Sequence, residues 1–217
     1  MTKTTPTNPT RLALLEHGKT MARQHGLRSI TVRGLCQETA INTGSFVYHF
    51  GSRDQFIAEL IEYWYAPLFE QIQWQQNHHA DPLTRLHAML RQLLSFVNAN
   101  GAFIAQLMQD VVAGEIAAQR FTSTLAPRHP RILLQCIADA QQAGQLCIAP
   151  PLHQAMFLMS ACGIPILLQH VLSGKELLPE LLQQAIKQFA TDPQHIDQRL
   201  QWALQGLMPN SKEFLHE

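Results

Sequence analysis

Between Thr31 and Gln55 the chain sets down a close succession of helix starts and stops. Thr31 offers a side-chain N-cap to a short segment, Val32 to Thr39, whose Val32, Leu35 and Cys36 share one side. Asn42 is placed to cap a second short segment, Thr43 to Phe50, and Gly51 follows as a stop. Ser52 and Gln55 then have the spacing of a capping box, which opens a long helix running toward Gln76 with Pro67 inside it, where a bend is expected. Upstream, Leu12, Leu15 and Ala22 fall on one face of a first helix from about Thr10 to His25, closed by Gly26. Two short helices joined by a tight turn and braced by a longer one match the helix-turn-helix arrangement, which presents its second short helix to the DNA major groove.

The rest of the chain also carries helical rather than alternating periodicity, so the expected fold is all-α. Breakers divide the remainder into Pro82 to Asn98, Ala102 to Val112, about Glu115 to Thr124, Pro130 to Ala143, Leu152 to Leu172, Leu177 to Ala190 and Pro193 to Leu207. That makes about eleven helices with the first four. With 46% hydrophobic and 15% charged residues, the chain can bury a sizeable core. The expected domains are a disordered arm over residues 1–9, a helix-turn-helix head over 10–53, and a larger helical body over 54–217 reached through the fourth helix.

No signal-peptide pattern opens the sequence, and Cys36, Cys136, Cys147 and Cys162 lie far apart with no C-x-x-C spacing. These features point to a cytoplasmic protein. The nearly unbroken apolar run from Ala155 to Leu168 falls short of the ~20 residues that span a bilayer, so no membrane association is expected.

The formal net charge is zero, yet unevenly placed. Up to Arg53 there are seven Lys and Arg against Glu16 and Glu38; beyond it, nine basic residues face fourteen acidic ones. A basic head on an acidic body suits binding to a polyanion, although a merely solvated basic face has the same composition.

The stretch SITVRGLCQETAINTGSFVYHFGSRDQF, ending at Phe56, resembles the TetR family of transcriptional regulators. A Thr-Val-Arg opening leads to the second helix. A turn and a glycine-containing, aromatic-rich third helix ending in Phe follow, and then Ser-Arg before an acid. The resemblance implies a repressor that binds a palindromic operator as a homodimer and is released by a small-molecule effector. By the same resemblance, base edges are met by Arg33, Asn42, Thr43, Gly44 and Val47. Thr31, Ser45, Tyr48, His49 and Arg53 carry donors suited to phosphate oxygens. The sequence departs from the family pattern at Val47, where an aromatic is usual, at Phe46, where Leu is common, at Ala40, where the turn usually has Gly, and at Gly34. Phe46 and Phe50 share an inward face and read as core.

In Ala155 to Leu168 apolar residues occupy every side, so that helix must bury more than one face. One expectation is a four-helix dimer interface formed with Pro193 to Leu207, involving Met156, Met159, Ile166, His170, Leu200 and Leu204; a central helix of a monomeric bundle is the other. Trp64, Met89, Phe103, Gln106, Leu107, Met108 and Phe121 are candidates for an effector pocket, which with so few charges nearby would take a hydrophobic or aromatic ligand. The same residues would fill an ordinary core. No cofactor is implied. His78, His79, Asp81 and His87 are weak as a metal set, since His78 and His79 point different ways. A thiol-redox regulator and a small-molecule-binding or enzymatic helical protein are the competing classes. An enzyme is not expected, because no nucleophile–base order, paired carboxylates or phosphate loop emerges.

Overall fold

The computed structural model describes residues 8–76, 81–173 and 179–209, the side chains of 74–76 excepted. Among them are ten α-helices, one 3-10 turn and no strand. The helices are α1 (Pro9–His25), α2 (Val32–Thr39), α3 (Thr43–Phe50), α4 (Arg53–Gln76), α5 (Pro82–Val112), α6 (Ile116–Ser123), α7 (His129–Gln142), α8 (Pro151–Leu172), α9 (Glu180–Thr191) and α10 (Pro193–Gln205), with the 3-10 turn at Leu27–Ser29. The all-α expectation holds. Of the expected arm, residues 1–7 lie outside the described residues, whereas Asn8 caps α1 by accepting the Thr10 amide at 2.9 Å. His78, His79 and the expected helix start at Leu177 are also outside them.

The caps predicted for the short helices form. Thr31 Oγ1 accepts the Gly34 amide at 3.1 Å, and Asn42 Oδ1 accepts the Ser45 amide at 2.7 Å. Between them Ala40 takes the left-handed conformation, φ 55°, and is the one non-glycine residue with positive φ among those described. The Ile41 amide closes the end of α2 on Cys36 O at 3.0 Å. Ser52 Oγ accepts the Gln55 amide at 3.2 Å at the start of α4, which runs on past Pro67.

One boundary is corrected. The sequence suggests a break between Asn98 and Ala102, but α5 passes through Gly101 unbroken. A side chain at Gly101 would collide with the His170 ring, and His170 Nε2 donates to Asn98 O at 3.1 Å. Asn98 Nδ2 in turn donates to Thr191 O at 2.9 Å. The glycine leaves space for a neighbouring ring, and the helix tolerates it at about 1 kcal/mol relative to Ala.

The chain divides into two compact units. The first comprises Met1–Pro67 and Ala102–Leu125, and the second Leu68–Gly101 and Ala126–Glu217. In the first, α1, α2 and α3 pack on one another around Phe46, Phe50 and Phe56. The ring centroids are 5.4 Å apart for Phe46–Phe50, 5.4 Å for Phe46–Phe56 and 4.9 Å for Phe50–Phe56. In the second, α8 packs against α7, α9 and α10. With 22 residues, and a mean hydropathy of 1.8 over its 18-residue apolar window, α8 is longer than the apolar run suggested, and it satisfies the length and composition of a membrane span. A core helix of a helical bundle satisfies them equally.

Candidate nucleic-acid interface

A short helix with both ends fixed presents each side chain in a settled direction. In α3 the offsets place Phe46 and Phe50 inward and leave Thr43, Gly44, Val47 and Tyr48 outward. Phe46 is 1% exposed, against 56% for Val47 and 82% for Tyr48. Ser45 and His49 lie at the margin, half-buried, with the His49 ring edge-on to Tyr48 at 5.0 Å. On α2, Arg33 is exposed. Thr31 and Asn42 use a side-chain oxygen as acceptor for their caps, so the Thr31 hydroxyl hydrogen and the Asn42 amide hydrogens are free to donate outward.

Arg53 is a different case. Expected at the phosphate backbone, it turns inward: Nε donates to Ile30 O at 2.7 Å, and Nη2 donates to Leu27 O at 2.9 Å and to Glu115 Oε2 at 3.2 Å. Its Nη1 lies 3.4 Å from Asp54 Oδ1. The basic head is also less free than its composition suggests. Arg11 pairs with Glu59, Lys19 with Glu16, Arg28 with Asp110 and Arg53 with Glu115. Sequence reasoning missed the buried carboxylates Asp110 and Glu115, although a lone acid within each apolar run was a signal.

The remaining candidates fall in several places. Within the first unit Trp64 and Phe103 are buried and stacked, with centroids 4.3 Å apart, and Phe121 meets Tyr65 edge-on at 5.3 Å. Leu107 is buried beside them in sequence, but Met108 is 57% exposed and so lines no interior, and the Gln106 side chain lies next to Gly26. Met89 belongs to the second unit, where Cys136 Sγ lies 4.0 Å from its sulfur. Of the residues expected between subunits, Ile166, Leu200 and Leu204 are instead buried inside the chain, because these sides of α8 and α10 belong to its own core. Met159 and His170 are half-buried, and Met156 is exposed.

For the competing chemistries, burial pushes the Cys36 and Cys162 thiols above their ordinary range, opposite to what a reactive thiolate needs. Asp81 is engaged as the cap of α5, accepting the Thr84 amide at 2.7 Å and Gln145 Nε2 at 2.6 Å.

An outward, capped α3 packed on α1 and α2, carried by an otherwise helical chain, has the helix-turn-helix arrangement that DNA-binding proteins use. The comparisons place that class. The chain is 28% identical over 112 residues to the HTH-type transcriptional repressor KstR2 of Rhodococcus jostii, covering 52% of this chain and 54% of that one. It is 24% identical over 160 residues to the HTH-type transcriptional regulator UidR of Escherichia coli, covering 70% and 76%. The chain thus spans about half the length of the first of these relatives. Among solved structures, the ketosteroid transcriptional regulator KstR2 of Mycobacterium tuberculosis superposes with a TM-score of 0.61 at 18% identity, covering 94% of this chain and 98% of that one. A TetR transcription regulator of Haloarcula marismortui superposes with a TM-score of 0.65 at 14% identity, covering 92% and 98%. No family model matches the chain. The chain is thus similar in sequence to HTH-type transcriptional regulators and shares the all-helical fold of solved TetR-family regulators.

Proposed function

We propose that the chain is a repressor that binds a palindromic operator as a homodimer and leaves it when a small apolar molecule occupies the helical body. The observation that carries this reading is the division of α3 between a buried aromatic face and an exposed polar and small-residue face. Arg33, Asn42, Thr43, Gly44 and Val47 read base edges: Arg33 suits guanine, the Asn42 amide can donate to a base acceptor, and Val47 can touch a thymine methyl. Thr31, Ser45, Tyr48 and His49 hold phosphates and set the register. Two recognition helices on a palindrome require two copies. The exposed side of α8, with Met156, Ile164 and Leu168, and Trp202 on α10 supply an apolar surface for that contact.

The effector is hydrophobic or aromatic, in keeping with the likeness to the ketosteroid transcriptional regulator KstR2, and Trp64, Phe103, Leu107 and Phe121 are buried apolar groups suited to such chemistry. Release follows if it binds the DNA-incompetent arrangement more tightly than the competent one. The protein works in the cytoplasm without enzymatic turnover. Selection of bound sequences from random duplexes tests the reading: an inverted repeat with half-sites about 10 base pairs apart, or a multiple of that, is the expected outcome. Recovery without sequence preference would reject it.

A further inference from the structure

The segment Gly26–Ile30 leads from α1 to the N-cap of α2, so its position fixes where α2 and α3 stand. Two carboxylates beyond the middle of the chain hold it, both inside the first unit. Asp110, 4% exposed, accepts the Leu27 amide on Oδ2 at 2.6 Å, and its Oδ1 lies 3.4 Å from Arg28 Nε. Glu115, 9% exposed, accepts Arg53 Nη2, and the same guanidinium bonds the carbonyls of Leu27 and Ile30. The Glu115 amide donates to Asp110 O at 2.9 Å, which ties the two acids together across the turn between α5 and α6. Gly26, at φ 79°, completes the fit, since a Cβ there would sit 3.1 Å from Asp110 Oδ2.

Exposed backbone groups before a helix can be satisfied by water. Here a buried carboxylate and a carboxylate-bound guanidinium replace that water, and such groups are stable only when their partners are all in place. The arrangement therefore fixes one position of the segment rather than a range of them. Arg53 has three internal acceptors and Asp54 beside it, so a phosphate would compete with two carboxylates for the same cation.

We propose that Asp110 and Glu115 are positioning residues for DNA binding, acting through Leu27 and Arg53, and that Arg53 is an internal strut rather than a phosphate ligand. The inference rests on the DNA-binding reading above. The turn between α5 and α6 is then the point at which a change in the body reaches the recognition helix.

The two roles of Arg53 predict opposite signs for one substitution. If Arg53 held a phosphate, Glu115→Gln would free the cation and remove a nearby negative charge, and binding would tighten. As a strut, Arg53 loses its anchor and binding weakens. The experiment measures fluorescence anisotropy of the full chain on the selected duplex and on an unrelated duplex of equal length. It is run across a salt series well below the melting temperature, for the wild type, Glu115→Gln, Asp110→Asn and Arg53→Gln.

Glu115→Gln and Arg53→Gln are each expected to weaken the selected duplex about tenfold, within the 5–150-fold range of intersite coupling, and to leave the unrelated duplex unchanged. Neither should alter the salt slope. Tighter or unchanged binding by Glu115→Gln, or loss of about one unit of salt slope in Arg53→Gln, would overturn the proposal. Should Asp110→Asn fail to fold, Glu115→Gln and Arg53→Gln decide the matter. A wild type that does not distinguish the two duplexes would refute the DNA-binding reading itself, before any variant is compared.

Discussion

α3 and α8 are both rich in apolar residues, but they distribute them differently. In the eight residues of α3, buried Phe46 and Phe50 alternate with exposed Val47 and Tyr48, and every outward position is small, polar or amphipathic. In the 22 residues of α8, Leu158, Cys162 and Ile166 are buried, while Met156, Phe157, Ile164 and Leu168 are exposed and just as apolar. Buried and exposed positions are thus occupied by chemically different residues in α3 and by indistinguishable ones in α8. A helix whose two faces differ in chemistry can be interpreted position by position. A uniformly apolar one reveals its outward face only once packed.

Paired substitutions test that contrast, and the largest effect is expected in α3. Phe46→Ala should lower the free energy of unfolding by about 3–5 kcal/mol, whereas Tyr48→Ala should change it by less than about 0.5 kcal/mol, both measured by urea denaturation. A large loss of stability in Tyr48→Ala would mean that α3 has no free face. In α8, Ile166→Ala should cost about 2–5 kcal/mol. Met156→Ser should leave folding nearly unchanged and instead shift sedimentation equilibrium toward the monomer. If Met156→Ser left the oligomer intact, the exposed side of α8 would not be the subunit contact.

A smaller effect, confined to the second unit, comes from His129 at the start of α7. Burial, aided by the charge of Arg128, lowers its pKa from 6.5 to about 4. The neutral ring is therefore the form the fold favours. The stability it contributes is complete above pH 6.5, where the unfolded chain is neutral too, and is lost as the pH falls from about 6.5 toward 4. The full loss is about 3 kcal/mol, and His129→Gln should flatten that part of the stability profile.

The helix-turn-helix was legible in the sequence because its signals are local. Thr31, Asn42 and Ser52 each bond the amide three residues on, so their spacing is itself the structure. The unbroken course of α5 was not, since what makes Gly101 acceptable is the ring of His170, which is distant in sequence. The inward course of Arg53 was hidden for the same reason. Its donors suit phosphate oxygens, while the acceptors they meet come from the segment before α2 and from Glu115. The burial of Ile166, Leu200 and Leu204 was hidden by chemistry rather than distance: nothing in Ile166 or Leu200 distinguishes a core contact from a subunit contact.

Base identity, in the function proposed above, is read by the outward face of α3. Val47 is the sharpest probe: its side chain is 56% exposed and outside the aromatic cluster, and the carbonyl by which it caps the end of α3 is kept in any substitution. Selection from random duplexes should therefore be repeated with Val47→Ala. The account predicts relaxed preference at one pair of symmetry-related positions, by about the 1–3 kcal/mol of a single base contact at most, with unchanged thermal stability and unchanged preference elsewhere. An identical preference in the wild type and the variant would contradict it.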